Sequence, residues 1–337
     1  MRISGKQVVV TSLVLVGTWL ANVRAQTVPA PKSVPPPPAP PPIKLLLTSL
    51  KPDAALSAGV DTRIAVTTDA AWLTDRVAGN LIRIDPKTNT AGKPVSAGAA
   101  GSGPCQPVLS AFKSLWVALC GSKTLVRFDS AAEKPPVPVA VDVRTVGPVV
   151  TGADSIWMLV DAATLTRIDP DTNAVVAEIA LPAPASAMTF GAGALWITSS
   201  ASNTVTRVNG DTNVVVETIK VGRGPVSVAL GEGSAWTFNG GDGTVSRIDS
   251  KTNKVTETIT SGVTGASGTI AVGEGSVWLS APGIPLTRID PATNTMAQQF
   301  SGPGGGALAI GLKSLWFGAT PTAIWRVDPK RVEATRK

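Results

Sequence analysis

Residues 225–259 read PVSVALGEGSAWTFNGGDGTVSRIDSKTNKVTETI, and this stretch decides the fold. It predicts four short strands joined by three turns. VSVAL is a run of small apolar residues. GEGS is a tight turn, its glycines free to take positive φ. SAWTF is a second strand carrying Trp236, and NGGDG turns the chain again. TVSRID alternates polar with apolar residues, as a half-buried strand does. SKTN is the third turn and KVTETI the fourth strand. Four antiparallel strands in about 40 residues make one small sheet. Such a sheet cannot bury its faces alone and must stack on copies of itself.

The copies are present. Tryptophan recurs at Trp72, Trp116, Trp157, Trp196, Trp236, Trp278 and Trp316, spaced 38 to 44 residues apart. Ten or eleven residues after each comes Arg-apolar-Asp: Arg83 to Asp85, Arg127 to Asp129, Arg167 to Asp169, Arg247 to Asp249, Arg288 to Asp290 and Arg326 to Asp328. The fourth copy has Asn209 after Arg207. Seven units in one register predict an all-β chain, a seven-bladed β-propeller of four-stranded antiparallel blades around a central channel. A linear β-solenoid is the competing architecture, but its rungs are usually shorter.

Around this ring the chain divides into three expected parts. Arg2 and Lys6 precede an apolar run from Val8 to Leu20, and Val23-Arg24-Ala25 offers small residues at a cleavage site. Residues 1–25 therefore read as a secretory signal peptide, with an uncleaved membrane anchor as the alternative. Residues 26–43 are a proline-rich linker centred on PPPPAPPP. We read it as an extended spacer, the alternative being a ligand for a proline-binding domain. Residues 44–337 are the propeller. The remainder is expected outside the cytoplasm (periplasmic, cell-surface or secreted), with no second membrane span, and as a monomer. The last blade lacks a convincing fourth strand, because RVEATRK is short and charged. An open edge invites pairing with other chains. We expect the N-terminal LLLTS to close that blade in preference to the C-terminal tail.

The turns DPKTN, DPDTN and DPATN follow three of the Arg triplets. Asp at the first position accepts backbone N–H bonds, Pro fixes φ, and Asn tolerates the left-handed region. Asp85, Asp169 and Asp290 are accordingly turn caps. Each Arg and Asp two residues apart are expected to pair within or between blades. The seven Trp are expected to pack between sheets.

Composition narrows the function. The formal charge is +7, and loss of residues 1–25 would leave +4, because Arg2, Lys6 and Arg24 go and no acid does. That modest charge does not mark a nucleic-acid binder. The chain has no His, which removes the usual general base near neutral pH and the commonest metal ligand. No cofactor and no metal site are expected. Cys105 and Cys120 are the only cysteines. If the first turn of blade two spans Ala111 to Ser114, Ser110 faces Leu115 and Cys105 faces Cys120, so a disulfide is expected in an exported protein. Two buried thiols are the alternative.

Binding in propellers usually uses the face made by second-to-third-strand turns and blade-to-blade connectors. Its charged residues here are Asp75, Arg76, Lys123, Asp142, Arg144, Asp161, Arg223 and Asp242, four acidic and four basic. We take Asp75, Arg76, Lys123, Arg144, Asp161, Arg223 and Asp242 as candidate binding residues, from loop position alone. The glycines of SGPGGG lack the Lys-Ser/Thr and the helix of a phosphate loop.

The unit GAGALWITSSASNTVTRVNGDTNVVVETIKVGRGPVSVALGEGSAW, residues 191–236, resembles the bacterial YVTN-type seven-bladed propellers. It also resembles the superfamily that includes the streptogramin (virginiamycin B) lyases. The resemblance covers about residues 60–330 and its motifs define the blade, not an activity. It implies a propeller. For the lyase branch it would imply a magnesium-dependent site with a histidine and acids at the channel mouth. With no His in this chain, no catalytic residue carries over. The expected function is a binding or scaffold module for a protein or small-molecule ligand. The alternative is a lyase or hydrolase at the channel mouth, with Asp75, Asp161 or Asp242 acting beside Lys123. The two part on whether these side chains converge on one pocket.

Overall fold

A computed structural model describes residues 41–98 and 103–335; the expected leader and nearly all of the proline-rich segment lie outside the described residues. Seven antiparallel sheets follow one another along the chain. The stretch quoted above is the fifth blade, with strands Pro225–Gly231, Ser234–Asn239, Thr244–Asp249 and Lys254–Thr260, each paired with the next. In every blade the repeated Trp lies on the second strand, and all seven are at most 1% exposed. The first turn of blade five takes positive φ at Glu232 and Gly233, not at Gly231. Two successive left-handed residues match the twist of a two-residue hairpin.

Gly231 has a different task. A Cβ there would lie 2.4 Å from Val272 Cγ1 of blade six. Gly152 meets Phe190 of blade four in the same way, at 2.1 Å. The missing side chain leaves room for the neighbouring blade, and the glycine carbonyl accepts the indole N–H: Trp236 Nε1 donates to Gly231 O at 3.1 Å and Trp157 Nε1 to Gly152 O at 2.9 Å. One residue thus serves close packing and the buried donor that Trp brings with it.

In five of the seven copies the triplet Arg joins its blade to the turn of the next. Its guanidinium lies 4.8 to 5.2 Å from the Trp ring of its own blade in five blades. From there Nη1 crosses to the turn Asn of the following blade. Arg127 reaches Asn173 at 3.0 Å, Arg167 reaches Asn213 at 3.1 Å, and Arg207 and Arg247 reach Asn253 and Asn294 at 2.8 Å. Arg326 reaches Asn89 at 2.8 Å, which latches the last blade to the first. This corrects the expected Arg–Asp pairing. The Asp stays in its own turn, where Asp169 Oδ1 accepts from the N–H of Asp171 at 2.7 Å and Asp249 Oδ1 from that of Thr252 at 2.8 Å. Asn209 does the same work in the fourth blade, accepting from Asp211 and Thr212 at 2.9 Å.

The N-terminal segment closes the seventh blade, though not with LLLTS. Ala54–Ser57 pairs antiparallel with Ala323–Val327 as the outer strand. Ile43–Leu46 instead runs parallel to Thr295–Ser301, a fifth strand on blade six. The reason is burial. Leu47 and Leu50 are 4% and 3% exposed in a cluster with Phe300 and Val332, so the chain is pinned into the core just after Leu46 and LLLTS is not free to extend along blade seven. The C-terminal tail forms the helix Pro329–Ala334, N-capped by Asp328 and docked by the buried Val332. Asp53 holds it from the other terminus, with Arg331 Nη2 at 2.7 Å. Two outer edges are weaker than expected: blade one has only Thr90–Ala91 and Val95–Ser96, and blade two only Val137–Pro138. Among the described residues no helix is long and apolar enough to cross a membrane.

Candidate functional site

The expected disulfide forms, although the pairing slips by two residues before it reaches the cysteines: Pro104 pairs with Leu119, and the Cys105 N–H donates to Ala118 O at 3.2 Å. Ser110 faces Leu115, and Cys105 is bonded to Cys120 with their Cα atoms 5.7 Å apart. It ties the chain entering blade two to the end of that blade's second strand.

The connectors and second-to-third-strand turns do share one face, because they bond to each other. Arg144, on the connector into blade three, pairs with Asp161 in that blade's turn at 2.7 Å. Arg223, on the connector into blade five, donates its backbone N–H to Asp242 at 2.6 Å and its Nε to Gly241 O at 3.0 Å. Arg76, in the turn of blade one, pairs with Asp61 of the preceding connector at 3.2 Å. Asp75 caps its own turn, accepting from Val77 and Ala78 at 3.0 and 2.9 Å. Lys123 stands exposed in the turn of blade two, and Asp142 is exposed on the connector into blade three.

The seven candidates are therefore spread over blades one, two, three and five, pairing within a blade, and do not all meet in one pocket. A cavity of about 290 Å³ takes in Asp161 beside Gln106, Thr145 and Ser186. A second, of about 340 Å³, lies on the opposite turns around Phe112, Asp154 and Asp171. A third, of about 330 Å³, holds two residues that loop position missed, Asp61 and Arg63. They lie at the entry to blade one, ahead of the first blade-to-blade connector that the repeats define. The strand starts at Arg63, and Asp61 at φ 61° ends the connector. The unabsorbed charges of DTR were the available signal.

The rim carboxylates are committed to hydrogen bonds. The N–H of Ala163, then Thr164 and the charge of Arg144, hold Asp161 below the ordinary carboxylate range. Burial pushes Asp242 upward, but hydrogen bonds from Thr244 and the Arg223 backbone outweigh it and leave the group lowered. Both are weak bases as a result. The magnesium implied by the lyase resemblance does not fit what is here. No histidine exists in the chain, and among the described residues no three His, Cys, Asp or Glu side chains lie close enough to hold a metal ion.

No family model matches the chain, and no curated protein matches it by sequence. Solved structures do match. A streptogramin B lyase superposes with a TM-score of 0.66 at 17% identity, over 80% of this chain and 93% of that one. Virginiamycin B lyase from Staphylococcus aureus gives 0.68 at 16% identity, over 81% and 97%. The Pan2 WD40 domain of Neurospora crassa gives 0.67 at 10% identity, over 83% and 95%. The chain shares its propeller fold with the streptogramin B lyases and with a WD40 domain.

Proposed function

We propose that this chain is an exported binding module that presents its connector face to a partner and performs no chemistry there. The observation that carries the reading is the state of the rim carboxylates. Asp75 caps a turn, Asp161 and Asp242 are tied to arginines, and each lies in a different blade from Lys123. An elimination needs a base within hydrogen-bond reach of the proton it removes. Asp161 and Asp242 are held low by their donors, and the three carboxylates lie in different blades, so they do not supply one. One of the matched lyase structures is a histidine-to-alanine variant of the Staphylococcus aureus enzyme, described as catalytically inactive, with quinupristin. That enzyme depends on a residue type this chain lacks. The disulfide suits an oxidising compartment, and residues 1–25 supply the export signal in this reading. The proline-rich segment would then hold the ring away from its anchor.

Two experiments test the reading. Crosslinking of the full chain in the envelope fraction is expected to capture a partner through the connector face, and Arg144→Glu with Arg223→Glu to release it. A streptogramin B lactone with magnesium is expected to stay closed. Ring opening that stops with EDTA and with a single rim Asp→Ala change would overturn the proposal.

A further inference from the structure

Among the described residues, the three most exposed large apolar side chains lie on one side of the connector face. Val77, 80% exposed, tips the second-to-third-strand turn of blade one, and Val60, 59% exposed, is on the connector that enters that blade. Leu46, 67% exposed, ends the edge strand of blade six opposite Ser301, two residues before Pro303. Exposed Pro282, Pro303 and Pro321 belong to the turn of blade six, the connector into blade seven and the turn of that blade. The three prolines and Val60 line a cleft of about 330 Å³. We propose that this sector is the docking surface for a protein partner that inserts one uncharged aromatic side chain into the cleft.

Charge favours a neutral anchor. Asp61 pairs with Arg63 at 3.0 Å and with Arg76 at 3.2 Å. The Asp75 carboxylate packs on Gly59, where a Cβ would lie 2.2 Å from Oδ2. Two acids and two guanidiniums balance around the cleft, and Lys44 stands outside them, two residues before Leu46. A charged anchor would gain no net attraction here and would still lose its water. On blades two to five the same face exposes no large apolar side chain and carries the Arg144–Asp161 and Arg223–Asp242 contacts instead. An apolar patch beside a polar sector is the anatomy of a protein interface. Val77 and Leu46 lie outside the cleft, so the patch is wider than a small molecule needs.

The prolines select the aromatic. Proline rings pack flat on aromatic faces, the pairing that proline-recognition domains use with the roles reversed. The walls keep their shape. A Cβ on Gly305 would lie 1.9 Å from Ala281 O, and one on Gly304 2.3 Å from the Ala319 carbonyl carbon, so backbone packs there without slack. On the facing wall Thr62 Oγ1 donates to Gly59 O at 2.7 Å. A preformed cleft costs little ordering on binding, and an aromatic ring in such a cleft is the usual centre of binding energy.

This proposal rests on reading the connector face as the partner-binding face. The probe is N-acetyltryptophanamide, titrated into the full chain by NMR beside N-acetylleucinamide and the N-acetyltryptophan carboxylate. The tryptophan amide is expected to bind saturably, the leucine amide about tenfold more weakly, and the carboxylate no tighter than the amide. Thr320→Trp, which fills the cleft, should abolish binding, and Pro303→Ala with Pro321→Ala should weaken it about tenfold, both with the unfolding midpoint kept. Val77→Asp with Leu46→Asp should release the protein that crosslinking captures. Absence of saturable binding, equal binding of the leucine amide, tighter binding of the carboxylate, or indifference to the cleft variants overturns the site. Capture that survives the double aspartate variant overturns the docking surface. A sedimenting dimer, or adsorption to phosphatidylcholine vesicles, that this variant abolishes overturns it too, because each gives the patch another occupant. If the amide fails while the Arg144 and Arg223 changes still release a partner, this site alone is lost. If it binds and those changes release nothing, the charged part of the rim is lost instead.

Discussion

The fourth blade contains a defect that one substitution should repair. In five blades the triplet Arg donates its Nε to a serine at the start of the second strand: Arg127 to Ser114 and Arg167 to Ser155 at 2.8 Å, Arg288 to Ser276 at 2.9 Å, and Arg247 to Ser234 and Arg326 to Ser314 at 3.0 Å. Blade four has Ala194 at that position, and Arg207 Nε is buried without an acceptor. Ala194 pairs with Asn209 in the register that Ser234 holds with Asp249, so a serine side chain has a proven geometry here. A buried donor left unpaired costs about 1–3 kcal/mol, more when charged. Ala194→Ser adds one hydroxyl whose lone pair meets that donor. Some of the gain is spent desolvating the hydroxyl, so the expected net stabilisation is about 1 kcal/mol. For a chain of this size that is about 2 °C in the unfolding midpoint.

The assay is urea unfolding of Ala194→Ser, alone and combined with Arg207→Met. The single change should raise the midpoint with its slope unchanged. In the methionine background the gain should vanish, because the donor is gone. Ser234→Ala is the reverse control and should cost about 1–2 kcal/mol. A neutral or destabilising Ala194→Ser, or one that stabilises equally without Arg207, would refute the reasoning.

Reducing the disulfide, or Cys105→Ser with Cys120→Ser, should destabilise the chain by about 3 kcal/mol in the chain-entropy account, and thiol labelling of unfolded, unreduced protein should find no free thiol. Asn89→Ala should cost about 1 kcal/mol by removing the Arg326 latch, and hydrogen exchange should rise first in the outer strands of blades seven and one. Stability should be flat from about pH 5 to 8 and fall below about pH 4. The sign follows from Asp69, Asp85, Asp129, Asp161, Asp169, Asp242 and Asp249, whose folded values all lie below the ordinary 3.8. Their contribution is full above the unfolded value and is lost as pH drops through the folded values, which acid titration followed by Trp fluorescence would show; loss beginning near pH 6 would contradict it.

The blade was legible in the sequence because its constraints are local. A Trp fixes the second strand, a two-residue turn fixes its pairing with the first, and Asp-Pro-x-x-Asn fixes the next turn. Those same features brought Cys105 and Cys120 within bonding reach, although the pairing slips between Leu109 and Pro104. What the sequence left hidden were contacts between units. The partner of Arg207 is Asn253, 46 positions away, and that of Arg326 is Asn89, 237 positions away. The first of these repeats at 46 or 47 positions in four blades, but nothing within one blade reveals it, because each blade's pattern is complete in itself and the partner is met only in the ring. The closing strand was misjudged for a similar reason. LLLTS has strand character, but its first residues end a strand laid on blade six, and Leu47 is drawn into a core shared by blade six, blade seven and the terminal helix. The rim pairs stayed hidden because connector loops carry no periodicity from which their partners can be read.

The latches also show where the ring departs from its own rule. Between blades six and seven the turn Asn is replaced by the terminal helix, and Arg288 turns to Glu333 at 3.0 Å. Between blades one and two no bond among the described residues replaces it. The turn after Asp129 is SAAEK, which has no Asn, and Arg83 folds back onto Asp69 of its own blade at 3.0 Å. The covalent crosslink of the chain lies in blade two, on the far side of that joint. A disulfide acts mainly on the unfolded chain, and it anchors the connector that enters blade two whether or not the neighbouring blade is latched. The ring is therefore held by two devices of different reach. Charge-assisted bonds join six blade boundaries, five through a turn Asn and one through Glu333 of the terminal helix, and depend on the ring being formed, whereas the crosslink secures the entry to the blade that lacks such a bond from its predecessor.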